Sequence, residues 1–338
     1  MTFKILVEPG GLAFGAEPDE TLLEALLRQG LSMPYGCKSG ACGACRGQVR
    51  RGEIDPGPYQ PFALSASDLE AGKALFCCAR AQSDLTLEHP GIVPEATIQP
   101  RIIPARVEKL ERRAQDVIVL LLRLPAGEAF PFHAGQFIDF LLPGGLRRSY
   151  SLANAPEEEG VLEFHIRRVP GGVFTGHVFE NLKVRDILRL EGPYGSFHLH
   201  EESRKPAILL ASGTGLAPVK AMVEHARAAG VLRPFHLYWG CRREEDFYLW
   251  ELPEQWAQTI PDFHYTPVLS EPEPGWRGRA GFVHAAVMED HPDLADWQVY
   301  ACGAPAMVAA ARQDFTARCR LPETEFFADA FTLQSVAP

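Results

Sequence analysis

Hydrophobic and polar positions change rhythm twice along this chain. Up to about residue 93 the apolar residues come in short strand-length pieces, FKILVE, GLAFGA, RGQVRRGEI and DLTLEH, bounded by Gly, Pro and Asp. One segment departs from that pattern: TLLEALLRQG spaces its leucines for a helix, with Thr21 as N-cap and Gly30 as stop. After a proline-dense window, strand-length pieces resume as DVIVLLLRLP, QFIDFLLPG, VLEFHIRRV and DILRLEGPYG. From about Lys205 strands alternate with helices: PAILLASG precedes LAPVKAMVEHARAAG, FHLYWG precedes FYLWELPEQWAQ, and WQVYACG precedes APAMVAAARQDF.

The three rhythms predict a multidomain chain. The middle segment, residues 104–203, reads as an antiparallel β-barrel, and residues 204–338 as an α/β domain with a parallel sheet wound by helices. Four prolines between His89 and Pro104 oppose regular structure and mark residues 94–103 as a linker after a first domain of residues 1–93.

Composition narrows the partners. At 338 residues and 46% hydrophobic, the chain can bury more than one core. A formal charge of −10 with scattered basic residues argues against nucleic acid and against an anionic membrane. The start, MTFKILVEPG, resembles a first strand more than a signal peptide, and apolar runs such as Val117 to Leu122 fall far short of the roughly 20 residues of a membrane span. The expectation is a cytoplasmic protein, acting as a monomer. In that compartment eight cysteines favour metal or redox chemistry over disulfides.

The cysteines have a pattern. Cys37, Cys42 and Cys45, in CKSGACGACRG, have the C-x4-C-x2-C spacing of a plant-type [2Fe–2S] site. A fourth thiolate must come from LFCCAR, as Cys77 or Cys78, and strand alternation lets only one of them face the loop. Gly36, Ser39, Gly40, Ala41, Gly43 and Ala44 are small enough for backbone N–H groups to approach the sulfurs of an anionic cluster. A zinc site would want a second Cys or His pair, which is missing, while Cys241, Cys302 and Cys319 read as buried small hydrophobes. Lys38, Arg46, Arg50 and Arg51 put positive charge beside the loop, either for an acidic partner or to balance the cluster itself.

Two further groups of residues suit nucleotide cofactors. In RRSYSLAN, Arg148, Tyr150 and Ser151 can grip a phosphate, cover a ring and hydrogen-bond a heteroatom, and Gly171-Gly172 before Thr175 can cradle a pyrophosphate. In ILLASGTGLAPVKAM, Gly213-Thr214-Gly215 follows a strand and Pro218 takes the place of the third glycine of G-x-G-x-x-G. Proline fits a first helical turn, where its missing N–H is no loss. ACGAP, with Cys302 and Gly303, is a second strand end on the same sheet edge. In CRREED, either Glu244, Glu245 or Asp246 accepts from a ribose hydroxyl, or Arg242 and Arg243 clamp a 2′-phosphate.

Residues 1–93 resemble a plant-type ferredoxin domain, which implies a β-grasp fold and makes Cys77 the fourth ligand. The order and spacing of RRSYSLAN and VPGGVFTGHVFEN resemble the flavin domain of the ferredoxin–NADP reductase superfamily. That resemblance implies a flavin held by Arg148 at its pyrophosphate, Tyr150 on its ring, Ser151 near N5, Gly172 and Thr175 at a phosphate turn, and His165 and Arg167 from a second strand. It also implies nicotinamide binding at Gly213, Thr214, Gly215 and Pro218, with Cys302 and Gly303 near the reacting carbon.

The whole chain looks like the reductase component of bacterial multicomponent oxygenases, and is equally similar to CDP-6-deoxy-glucoseen reductases. The resemblance implies hydride transfer from NADH to FAD, then single electrons through the [2Fe–2S] cluster to a terminal oxygenase or hydroxylase component. No residue acts as a general acid or base in that scheme. The alternatives are a deoxysugar dehydrase as acceptor, or a flavin reductase whose cluster transfers nothing.

Overall fold

The alternating N-terminal segment forms a five-stranded sheet in the computed structural model, which describes residues 2–94 and 98–332. Its order is Leu12–Ala16, Phe3–Glu8, Leu85–Glu88, Arg46–Arg51 and Lys73–Leu75. Phe3–Glu8 runs parallel to Leu85–Glu88, and the other ladders are antiparallel. Ile5, Val7, Leu85 and Leu87 alternate inward, where the helix Leu22–Arg28 buries Leu22, Leu23, Ala25 and Leu26. Each such leucine contributes about 2 kcal/mol on burial. Thr21 starts that helix with a capping box: its hydroxyl accepts from the Glu24 N–H, and the Glu24 carboxylate accepts from the Thr21 N–H.

This first unit is not continuous in sequence, because residues 195–197 and 328–332 cluster with it. The Tyr35 N–H donates to Ser196 Oγ at 2.7 Å and the Ser196 N–H returns a bond to the Tyr35 carbonyl at 2.8 Å. The hydroxyls of Ser39 and Thr332 lie 2.7 Å apart.

Of the linker expected at 94–103, residues 95–97 lie outside the described residues, and the strand Arg101–Ala114 already begins inside it. Proline density overstated the break. Around Pro104 that strand pairs only with Ile187–Tyr194, since its ladder with Val117–Arg123 starts at Arg106. A missing N–H turned to the open side costs no ladder bond there.

The second unit holds two sheets. One has six strands, in the order Arg147–Ser151, Phe137–Leu141, Ile187–Tyr194, Arg101–Ala114, Val117–Arg123 and Val161–Arg167, and every ladder in it is antiparallel. Its two end strands are those carrying the flavin-type residues, and they approach one another without sharing a ladder. Leu120, Leu122, Ile138, Phe140, Phe164 and Leu190 fill its core, closed by Phe174 and Val178 of the helix Val173–Glu180. Phe140 stacks on Phe174 with centroids 4.5 Å apart.

The other sheet runs Arg279–Ala280, Phe263–Leu269, Phe235–Cys241, Ala207–Ser212, Gln298–Gly303 and Phe326–Ala330, of which the residues from Ala328 count with the first unit. Its first five strands are parallel. Ala207–Ser212 comes first in sequence yet lies mid-sheet, so the winding direction reverses between it and Gln298–Gly303. Ligands of such sheets sit at the carboxyl end of that reversal. Among the described residues no helix is long and apolar enough to cross a membrane.

Candidate functional site

Residues 37–45 form an irregular loop that folds back on its first cysteine. The N–H groups of Ser39, Ala41 and Cys42 donate to Cys37 Sγ at 3.5, 3.3 and 3.3 Å. Gly40, at φ 70°, allows this, since a Cβ there would stand 2.9 Å from Cys78 Sγ, the Pro58 carbonyl and Tyr59 Cα. The thiols associate in pairs. A hydrogen bond from Cys42 holds Cys37 down to about 6 against its burial, and bonds from Cys45 and then Cys78 hold Cys77 down to about 4. The donors Cys42 and Cys45 are pushed well above the ordinary thiol range by those bonds and by burial.

Among the described residues no three His, Cys, Asp or Glu side chains converge where a single metal ion could sit. Two facing pairs, Cys37 with Cys42 and Cys45 with Cys77, suit a dinuclear centre that takes two thiolates on each iron. With backbone N–H groups aimed at sulfur and no room for side chains at Gly40, these residues fit a [2Fe–2S] cluster.

The expectation that alternation turns Cys78 away from the loop is corrected. Cys77 and Cys78 lie in a turn beyond Lys73–Leu75, where the N–H groups of Cys78 and Ala79 both donate to the Leu75 carbonyl at 2.9 Å. Their Sγ atoms are 3.6 Å apart on the same side. The bond to Cys77, together with burial, pushes the Cys78 thiol far up. Of the basic residues nearby, Arg46 pairs with Asp68 at 3.7 Å, Arg50 pairs with Glu88, and Arg51 is exposed.

At the edge of the antiparallel sheet, Arg148 and Tyr150 share one face of Arg147–Ser151, and Ser151 is buried at its end. The Tyr150 ring leans on Phe140 and Phe174, with centroids at 5.6 and 5.3 Å, and burial raises its phenol above the ordinary range. Gly172 caps the helix Val173–Glu180, and a Cβ there would stand 2.5 Å from Thr175 Oγ1. That hydroxyl accepts from the Val169 N–H at 3.2 Å and reaches the Val169 and Gly172 carbonyls at 3.3 Å. Thr175 thus ties the turn and leaves the helix N–H groups for an anion.

His165 and Arg167, on the opposite edge strand, go elsewhere. The His165 ring is buried, with Nδ1 at 2.8 Å from the Tyr248 hydroxyl and Nε2 at 2.8 Å from Glu163 Oε1, so both nitrogens are occupied. Burial lowers its pKa and outweighs Glu163, which acts to raise it. The Arg167 guanidinium lies against Gly213, whose Cβ would stand 3.3 Å from Nη1. Asp116 faces Nε at 3.4 Å, yet Nε and Nη2 are buried with no hydrogen-bond partner. Unmatched donors on a guanidinium beside a glycine turn suit a phosphate group.

The nicotinamide-type residues meet at the reversal point. A Cβ at Gly215 would stand 2.2 Å from the Cys302 carbonyl, and one at Gly303, where φ is 129°, would stand 2.3 Å from Ser212 Oγ. The two loops therefore touch backbone to backbone, locked by an Ala304 N–H bond to Ser212 Oγ at 2.9 Å. Trp239 Nε1 donates to the Gly213 carbonyl at 2.9 Å. Thr214 lies in this turn, Pro218 sits in the first turn of Leu216–Ala228, and Cys302 is fully buried at its strand end. In the CRREED turn Asp246 accepts from the Arg243 N–H at 3.1 Å, while Arg242, Arg243, Glu244 and Glu245 are exposed.

Sequence reading passed over Lys220, Glu163 and Tyr248. Lys220 is buried, and its Nζ donates to the Ala153 carbonyl and Glu163 Oε2, both at 3.2 Å, and to Glu224 Oε2 at 2.8 Å. Its signal was a lone cation inside the apolar run LAPVKAMV.

Three family descriptions match this chain in order: "2Fe-2S iron-sulfur cluster binding domain" over residues 5–82, "Oxidoreductase FAD-binding domain" over 104–199 and "Oxidoreductase NAD-binding domain" over 209–313. A CDP-6-deoxy-L-threo-D-glycero-4-hexulose-3-dehydrase reductase of Yersinia pestis is 40% identical over 332 residues, covering 98% of this chain and 99% of the relative. The reductase subunit of an Amycolatopsis aromatic O-demethylase is 40% identical over 328 residues, 95% of this chain and 96% of that one. The crystal structure of the Amycolatopsis cytochrome P450 reductase GcoB superposes with a TM-score of 0.79 at 39% identity, covering 98% and 99% of the two chains.

Proposed function

Because the chain belongs to the family of iron–sulfur flavoprotein reductases, in which a ferredoxin-type [2Fe–2S] domain precedes FAD- and NAD-binding domains, we propose that it serves the oxygenase-type component of a multicomponent system. It is an NADH-dependent oxidoreductase that binds a [2Fe–2S] cluster, FAD and the nicotinamide cofactor. Bound FAD supplies the conversion between a hydride's two electrons and the single electrons that a [2Fe–2S] cluster carries.

The chain's own residues bind and orient. Cys37, Cys42, Cys45 and Cys77 hold the cluster, with the Cys78 thiol 3.6 Å from that of Cys77. Arg148 takes the flavin pyrophosphate together with the helix start at Gly172, Tyr150 covers the ring and Ser151 borders N5. Arg167 serves the dinucleotide at Gly213 rather than the flavin, because its buried donors face that turn. Thr214, Gly215, Pro218, Cys302 and Gly303 shape the nicotinamide end. We read the five-stranded mixed sheet as a β-grasp, the six-stranded antiparallel sheet as the flavin barrel, and the protein as a cytoplasmic monomer.

The observation that carries this reading is the pairing of four thiols in one loop region of a chain that also carries both nucleotide turns. A second reading, a deoxysugar dehydrase as acceptor, draws on the likeness to the Yersinia reductase. Anaerobic titration with NADH should bleach the flavin and produce the paramagnetic signal of a reduced cluster. Mixing the reduced protein with a purified oxygenase component or with a dehydrase then identifies the acceptor by which one it drives to product. A reductase that drives neither, and passes reduced flavin to oxygen instead, would establish the non-transferring alternative.

A further inference from the structure

Four side chains that no cofactor role absorbs form one continuous buried chain across the second unit. The Tyr248 hydroxyl meets His165 Nδ1, His165 Nε2 meets Glu163 Oε1, and Glu163 Oε2 meets Lys220 Nζ, at 2.8, 2.8 and 3.2 Å. Lys220 continues to the Ala153 carbonyl and to Glu224. With Glu163 ionised beside Lys220, His165 donates from Nε2 and Nδ1 accepts from the tyrosine, so each bond has one direction.

The ends of this chain matter more than its middle. Lys220 lies two residues after Pro218, in the helix that the Gly213 turn opens, and Tyr248 packs on Trp239, the residue that holds the Gly213 carbonyl. Ala153 follows Ser151 by two residues, and Glu163 and His165 share the strand of Arg167. Asn154, three residues beyond Ser151, ties that segment to the strand Val161–Arg167, accepting from the Glu163 N–H at 2.9 Å and donating to the Val161 carbonyl at 3.0 Å.

We propose that the Tyr248–His165–Glu163–Lys220 relay fixes the separation between the flavin-holding strands and the nicotinamide-holding turn, which makes Glu163 and Lys220 positioning residues for hydride transfer. Apolar side chains of the same volume would fill this space at similar or better stability, so the burial of a charged pair is not explained by stability alone. What directional bonds add is a set distance, because Lys220 donates to Ala153 and Glu163 on two other segments, while Glu224 of its own helix steadies the ammonium. Hydride transfer is sensitive to such spacing, and an error of about 1 Å costs on the order of a hundredfold in rate.

The inference rests on the NADH-to-FAD reading, and the test separates the two. Wild-type protein and Glu163→Gln are mixed anaerobically with NADH and with NADH carrying deuterium at the transferred position, and flavin bleaching is followed by stopped flow. Bound FAD, melting temperature and amide exchange of residues 161–167 and 216–228 are measured on the same samples. The expected variant keeps its FAD, exchanges faster in those two segments, and is reduced roughly ten- to a hundredfold more slowly at saturating NADH, with a larger and more temperature-dependent isotope effect. A merely structural role would lower melting temperature or FAD content and leave the isotope effect of the remaining holoprotein unchanged. Wild-type rate and isotope effect in a variant with loosened amides overturn the proposal. If Glu163→Gln does not hold FAD, Tyr248→Phe, which removes one hydroxyl beneath Trp239, decides by the same criteria. Failure of NADH to bleach the wild-type flavin would instead overturn the electron-transfer reading.

Discussion

Cys77 and Cys78 bring their Sγ atoms within 3.6 Å across a single turn, so two adjacent thiols face the same loop. The thiolate is the metal ligand and its close neighbours tune it. Cys77→Ser and Cys42→Ser should therefore lose most of the iron, whereas Cys78→Ala should keep about two irons per chain and show a more negative reduction potential. Iron assay and a potentiometric titration read both. Iron retained by Cys77→Ser and lost by Cys78→Ala would reverse the ligand assignment.

Arg167 tests which nucleotide its orphan donors await. Arg167→Ala should leave FAD content unchanged and raise the KM for NADH about tenfold, the effect of losing one charge-assisted phosphate contact. Loss of FAD on gel filtration, with an unaltered KM in the remaining holoprotein, would return Arg167 to the flavin.

Cofactor choice should favour NADH. Glu244 and Glu245 are exposed in the turn after Phe235–Cys241, next to Arg242 and Arg243. If the carboxylates repel a 2′-phosphate, replacing both by Ala should raise kcat/KM for NADPH about tenfold with little change for NADH. Wild-type protein that already prefers NADPH would show that the arginines decide.

Stability should depend on pH through His225, which lies between Glu157 at 2.6 Å and Glu201 at 2.9 Å. Burial opposes its charge, but hydrogen bonds to Glu201 and Glu157 outweigh it and raise its pKa. A raised pKa stabilises in full below the unfolded histidine value of about 6.5, and that contribution is lost as pH rises through the folded value. Both carboxylates are nearly half exposed, so screening limits the effect to about 0.5–1 kcal/mol. His225→Gln should then melt about 1–2 °C lower at pH 6 and unchanged at pH 9. An equal shift at both pH values would remove charge from the account.

Cutting the chain after residue 97 tests the division of labour. Residues 98–338 should bind FAD and oxidise NADH with ferricyanide, and should fail to drive the protein acceptor. Because residues 195–197 and 328–332 cluster with the first unit, the fragment should also melt a few degrees below the flavin transition of the intact chain. Acceptor turnover at the intact rate would take the cluster off the electron path.

What could be read in the sequence was local. The Thr21 cap, the cysteine spacing and the Gly213 turn each depend on residues within one or two turns of chain, and each appears where its pattern indicated. The direction of Cys78 was misread because alternation holds only on a strand, and a turn bonded to Leu75 lies there instead. Arg167 and Lys220 were out of reach for a different reason. Their partners, Gly213, Ala153 and Glu163, are brought to them by tertiary packing, and no spacing along the chain encodes that.

The patchwork make-up of the first unit has a consequence for how the protein is made. Ribosomes deliver the N-terminal stretch first, and such stretches generally fold as they emerge. Here Ser196, Asp329 and Thr332 complete the surroundings of Tyr35, Gly36 and Ser39, so the cysteine loop lacks those neighbours until residue 332 is translated. Iron delivered to a nascent chain would meet an unfinished loop. Cluster insertion therefore belongs after release, and a chain that stalls short of residue 328 should leave the ribosome pale, with all four thiols intact and still free to react.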